Sequence, residues 1–157
     1  MIEPSFLKQI YLFDEIPEPA LAELAGIMQE RKYEEGDVIF YEGDTTTDLY
    51  LLVKGEVELQ IKIAPQLAES TVLTVKSTEA FGEMTFMSPK ARSASARCVK
   101  RSIVAVLARS DFDRLVGQNP AIGLYFFRNV SRLLCEKLRM MNTNLKETLI
   151  RSLGIEI

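Results

Sequence analysis

The chain has no histidine and only two cysteines in 157 residues. The missing histidine excludes His-ligated zinc and haem, and it removes the base of Ser-His and Cys-His catalysis. Cys98 and Cys135 stand apart without C-x-x-C spacing. Two thiolates cannot supply the four ligands of an iron–sulfur cluster, so both cysteines are expected to be buried thiols. No metal site and no catalytic residue is therefore assigned. A run of about 18 apolar residues is also missing, so no membrane span is expected. The N-terminal MIEPSFLKQI has neither a basic start nor a long apolar stretch. It is not a secretory signal, and cytoplasmic residence is expected. Neither sign of charge dominates: 19 Lys and Arg against 22 Asp and Glu give a net charge of −3 and a pI of about 5.2. That balance lacks the basic footprint of a nucleic-acid binder. Low-complexity segments and internal repeats are absent from the sequence.

What is present describes a globular domain. The hydrophobic fraction is 47% and the charged fraction 26%, enough for a core without disulfide or metal support. Phe6, Leu7, Ile10 and Leu12 predict a short helix over 4–13, broken by Pro17 and Pro19. Leu21, Leu24 and Ile27 keep helical spacing from Glu18 to Met28. From Gln29 the pattern changes to short strands with frequent turn signals, near 30–34, 37–41, 48–54, 56–63, 70–76, 92–99 and 101–108. Segment 64–69 reads as a hairpin loop. Ser110, followed by Asp111 and Asp113, reads as the N-cap of a helix that ends near Gly117.

Asn119-Pro120 opens a last helix from Ala121 to about Ser152, ~48 Å long at 1.5 Å per residue. Leu124, Phe127, Ser131, Leu134, Leu138, Met141, Leu145 and Thr148 recur at alternating three and four residues, a heptad seam with two polar interruptions. Such a helix either packs on its own strands or pairs with a second copy. Its length favours a parallel homodimer. The chain thus divides into a strand-rich unit, 1–119, and a helical unit, 120–157.

The stretch from Phe81 to Ser95, FGEMTFMSPKARSAS, carries the most chemistry. Gly82 has no Cβ, so backbone N–H groups there can approach a ligand closely. Residues 83–86 read as a short helical turn whose unpaired N–H donors suit a phosphate. Arg92 offers a planar fork of donors for phosphate oxygens, and Ser93 adds a hydroxyl. Glu83 would repel a phosphate and is better read as the acceptor for a sugar hydroxyl. Pro89 stiffens the return path. Taken alone, Glu83 and Arg92 could equally form a surface salt bridge worth ~0–1 kcal/mol.

The whole string resembles the phosphate-binding cassette of the cyclic nucleotide-binding domain family. Phe81, Gly82, Glu83, Met84, Phe86, Met87, Arg92, Ala94 and Ser95 match that cassette. The nine-residue step from Glu83 to Arg92 matches its eukaryotic form, as in protein kinase A regulatory subunits. Thr85 departs from it, standing where the family usually has Ala, Ser or Gly. Tyr33–Asp44 and Leu49–Val57 match the family's glycine-cornered β-roll, with Gly36, Gly43 and Gly55 at corners.

The resemblance implies a mainly β fold with flanking helices. This is a jelly-roll-like β-roll (double-stranded β-helix) with short N-terminal helices and a long C-terminal helix. It also implies a non-catalytic sensor without a cofactor. Arg92 and Ser93 would hold the cyclic phosphate of cAMP, or of cGMP, with the backbone N–H groups of Thr85 and Ala94. Glu83 and the Gly82 backbone would hold the ribose 2′-hydroxyl. Arg139 and Asn142 are either caps for the base or solvated helix residues. Bacterial transcription factors of the family carry a helix-turn-helix domain after the long helix. Here the sequence stops at Ile157, so no direct DNA binding is expected, and signalling would pass through an unidentified protein partner. The alternative is a nucleotide-independent dimerisation module on the same fold.

Overall fold

Short apolar runs bounded by turn residues make eight strands, framed by helices at both ends. The computed structural model describes residues 1–155. Helix α1 (Pro4–Leu7), a 3-10 turn (Tyr11–Phe13) and helix α2 (Glu18–Ile27) come first. Strands β1 (Gln29–Tyr33), β2 (Val38–Phe40), β3 (Leu49–Lys54), β4 (Glu56–Ile61), β5 (Ser70–Lys76) and β6 (Ala80–Phe81) follow. Helix α3 (Glu83–Met87), strands β7 (Ser95–Cys98) and β8 (Ser102–Leu107), and helices α4 (Arg109–Gln118) and α5 (Pro120–Ser152) complete the order.

The strands form two four-stranded antiparallel sheets, ordered β1-β8-β3-β6 and β2-β7-β4-β5. Alternation within β3 and β8 explains why both strands read as nearly continuous apolar runs. Tyr50, Leu52, Val104 and Val106 face the core between the sheets, beside Phe40, Val57, Phe81 and Cys98. Leu49, Leu51, Ala105 and Leu107 face the other way, onto α2, α4 and α5. Strands β3 and β8 are thus buried on both faces, and the helices form a second core against them. Gly36, Gly43 and Gly55 stand at turns with φ of 91°, 90° and 107°. Among the described residues no helix is long and apolar enough to cross a membrane.

Several sequence-based expectations need correction. The single helix over 4–13 is instead α1 followed by the 3-10 turn. A continuous helix would turn Leu12 about 140° away from Leu7, whereas both residues are fully buried in one core. The strand expected from residue 92 begins only at Ser95, because the backbone of Arg92 is tied elsewhere: its N–H donates to Asp44 O at 2.7 Å, and its carbonyl accepts from Gly43 N at 2.8 Å. Ser110 is not a cap; α4 starts at Arg109 after Ala108, with no side-chain capping bond. Strand β6 is unforeseen, since two residues are too few to display a period. Cys98 is buried and burial pushes its thiol pKa up, but Cys135 is exposed.

The long helix forms as expected. Its first turns, through Ile122, Phe126 and Val130, belong to the helical core. The boundary at 119/120 is a single residue, Asn119, between α4 and α5. Residues 156 and 157 of the expected helical unit lie outside the described residues.

Candidate functional site

Strand β6, helix α3 and the return to β7 put the cassette residues at the mouth of the roll. Phe81 is the anchor. It is fully buried and stacks on Tyr50, with centroids 5.3 Å apart and planes 19° apart. Gly82 follows with φ 79° as the residue that starts α3, a conformation that favours glycine. Space demands glycine as well, since a Cβ there would meet Arg92 Nη1 at 2.8 Å and Tyr50 Cδ2 at 3.2 Å.

Arg92 is the centre of the site and is 3% exposed. Its Nη2 donates to Asp48 O at 2.8 Å, Nη1 to Gly82 O at 3.0 Å, and Nε to Thr46 Oγ1 at 3.2 Å. The guanidinium lies 4.3 Å above the centroid of the Phe40 ring, in a cation–π arrangement. Burial lowers the Arg92 pKa, while Tyr50, Asp48, Asp44 and Glu83 pull it back up. Tyr50 responds the opposite way: burial raises its phenol pKa, and Asp48 adds to the rise.

Glu83 is also buried, at 5% exposure, but it does not pair with Arg92. Its Oε1 accepts a hydrogen bond from Lys137 Nζ at 2.5 Å, so the acid on α3 is joined to the long helix α5. The surface salt bridge considered from sequence is therefore absent, and each member of the pair has a partner of its own.

Gly82, Glu83, Met84, Thr85, Arg92, Ser93 and Ala94 line one cavity of about 50 Å³, together with Phe40 and Leu59. Met84 is exposed and Thr85 buried. Ser93 is exposed, and its hydroxyl donates to Met84 Sδ at 3.9 Å. Phe81 and Ser95 stand behind the cavity. Ser95 Oγ accepts from Glu42 N at 2.9 Å and so ties down the neighbouring turn. Arg139 and Asn142 are not brought to the cavity. Arg139 bonds Glu136 at 2.5 Å on the helix surface, and Asn142 is exposed. Among the described residues no cluster of His, Cys, Asp and Glu could hold a metal ion.

Sequence reasoning missed Phe40, Leu59, Thr46, Asp48 and Lys137. Nothing local marks Lys137, a lysine inside a long mixed helix. A weak signal did exist for Phe40, an aromatic between the corner glycines Gly36 and Gly43. A further link is invisible in sequence: Arg109, at the start of α4, donates to Phe86 O and lies 5.3 Å over the Phe86 ring.

Residues 30–119 match the family model described as the cyclic nucleotide-binding domain. The chain is 35% identical over 112 residues to the Cyclic AMP receptor protein of Thermus thermophilus, covering 71% of this chain and 49% of that protein. It is 30% identical over 120 residues to the cAMP-dependent protein kinase regulatory subunit of Hypocrea atroviridis, covering 76% of this chain and 24% of that one. The chain thus spans about half or less of these relatives. A solved cyclic nucleotide-binding domain from Methylobacillus flagellatus superposes with a TM-score of 0.80 at 24% identity, over 92% of this chain and 80% of that chain. That likeness bears on the β-roll fold. With the family model matching more than half its length, the chain belongs to the cyclic nucleotide-binding domain family.

Proposed function

We propose that the protein is a non-catalytic sensor that binds a cyclic nucleotide, with cAMP favoured over cGMP, and transmits binding through α5 to a protein partner. The observation that carries this reading is the meeting of Arg92, Glu83 and Gly82 at one cavity, with Glu83 bonded to the transmitting helix. Both nucleotides occur in the names of the relatives, and cAMP is favoured because the Cyclic AMP receptor protein is 35% identical while a cGMP-dependent protein kinase 2 is 25% identical.

Small-molecule pockets run to ~300–1,000 Å³, so a cavity of about 50 Å³ must open to admit a nucleotide. Arg92 supplies the means. Three of its five N–H donors are engaged by two carbonyls and a hydroxyl, which leaves two for an anion. A phosphate offers the same fork an ionised acceptor that can be bound bidentately, which the neutral carbonyls cannot. The guanidinium would turn toward the cyclic phosphate, joined by Ser93 and the backbone N–H groups of Thr85 and Ala94. Glu83 and the Gly82 backbone would take the ribose 2′-hydroxyl. That hydroxyl then competes with Lys137 for the Glu83 carboxylate, and α5 feels the exchange. A ligand moves a helix only through unequal affinity for its two positions, and this shared carboxylate is a physical source of the inequality.

Calorimetric titration with cAMP and cGMP in parallel tests the reading, followed by hydrogen exchange over α5 with the ligand bound. Saturable binding at micromolar concentration or tighter names the ligand. Exchange in α5 that ignores the ligand would sink the transmission step. Glu83→Ala is expected to weaken binding of the 2′-hydroxyl ligand more than that of its 2′-deoxy analogue, and equal losses would refute the ribose role.

A second reading, a nucleotide-independent dimerisation module, is favoured by one observation. Leu138, Met141, Leu145 and Leu149 on α5 are 58%, 65%, 58% and 51% exposed, an apolar seam that a second copy could cover. Leu138→Glu is expected to convert a homodimer to a monomer in sedimentation, and an unchanged mass would remove the seam from the interface. No heat with either nucleotide, from protein shown to be nucleotide-free, would leave this second reading alone.

A further inference from the structure

Away from the cassette, three cations surround a second cavity. Lys32 on β1, Lys54 at the end of β3 and Arg101 before β8 line a space of about 350 Å³, with Ile103 and Ser102 completing the wall. Strand pairing explains the convergence. Lys32 and Lys54 both register with Ile103, from opposite sides of β8. Residues opposed in this way share a face of the sheet, and two strand spacings place the lysine backbones roughly 10 Å apart.

Lys54 reaches that face because of a bulge. The ladder steps from Leu52↔Val104 directly to Lys54↔Ile103. In unbroken register Val53 would oppose Ile103, and Lys54 would point to the other face; one extra residue re-aims it. Gly55 then locks the rim. With φ 107°, its backbone abuts the β7–β8 turn so tightly that a Cβ would meet Ser102 Oγ at 2.3 Å and Arg101 O at 2.7 Å. The Arg101 backbone is therefore held against Gly55, next to Lys54, while its side chain is 75% exposed. Its guanidinium shares the Glu34 carboxylate at 3.3 Å, whereas Lys32 and Lys54 have no ion pair among the described residues. Three positive charges facing one negative charge leave a concentrated positive site on a chain of net charge −3.

We propose that this cavity is a second ligand site, for a compact polyvalent phosphate anion of the triphosphate class. Like charges held together repel, and a multivalent anion removes the repulsion while matching the ammonium groups as point charges. Lys32, Lys54 and Arg101 are exposed at its rim, and Ile103 lines it between them. A free polyphosphate and the tail of a nucleoside triphosphate present the same chemistry to it.

Calorimetric titration of the whole protein with tripolyphosphate and with ATP, at low and high salt, tests the site. The expected result is saturable one-site binding that weakens with salt and falls tenfold or more in Lys32→Ala/Lys54→Ala. Lys54→Glu is expected to do the same, and melting curves of both variants check that they fold. Arg92→Ala should leave tripolyphosphate binding unchanged, and the double variant should leave cyclic nucleotide binding unchanged, so this site and the cassette can fail separately. Equal affinities for the two probes place recognition in the phosphate chain, and tighter ATP binding brings the nucleoside onto Ile103; both support the site. Absence of saturable binding, or a double variant that binds like the wild type, overturns it.

Discussion

Arg92→Ala is expected to weaken cyclic nucleotide binding by ~2 kcal/mol or more, the scale of a lost charge-assisted contact, which is about 30-fold in affinity. The fork of donors, its stack on Phe40 and its seat at the cavity all belong to this one side chain. Arg92→Lys keeps the charge but loses the bidentate geometry, so it should recover only part of the loss. The alanine variant should also fold less stably by about 1–3 kcal/mol, because Gly82 O, Asp48 O and Thr46 Oγ1 lose their donor. Titrations must therefore be run well below the variant's melting temperature. Wild-type affinity in folded Arg92→Ala would sink the phosphate assignment.

Phe126→Ala is expected to cost about 3–5 kcal/mol of stability, the range for a large aromatic removed from a packed core. Phe126 is fully buried. Its ring centroid lies 4.6 Å from Phe112, 5.7 Å from Phe86, 5.8 Å from Phe127 and 5.9 Å from Phe13. Those rings come from α4, α3, α5 itself and the N-terminal turn, so one deletion opens a hole among four elements. The urea midpoint should fall accordingly, and a loss under about 1 kcal/mol would mean that the cluster repacks. Phe86 belongs to α3, so the cluster packs α3 directly against α5. Phe126→Leu, with a smaller cavity penalty, should lose less.

The legible part of this protein is the part written in local residues. Gly36, Gly43 and Gly55 mark real corners, the 70–76 strand appears at its expected limits, and α5 starts within one residue of expectation. The chemistry of 81–95 was visible because its members are close in sequence. What stayed hidden depends on distant residues. Thr46 and Asp48 bind Arg92 from across the roll, and Lys137 reaches Glu83 from 54 residues away. No periodicity encodes such meetings. Arg139 and Asn142, which the sequence left as either base caps or solvated residues, are exposed. Polar residues on the right helix drew attention, yet helix phase turns Lys137 toward the site and leaves those two on the surface. The bulge at Lys54 was equally unreadable, because strand pairing rather than composition decides which face a residue takes.

The backbone of residue 92 carries a consequence for timing. Two hydrogen bonds, to Asp44 O and from Gly43 N, make it a fixed bearing, while the side chain beyond it turns on ordinary torsions. An anion drawing the guanidinium outward moves a lever without bending its mount. The guanidinium is buried and held by three hydrogen bonds, so its turn waits on their breaking, and displacement of a packed helix takes microseconds to milliseconds. In the proposed mechanism, capture at Arg92 and release of Lys137 would be separate steps, and displacement of α5 would set how quickly the signal leaves the domain.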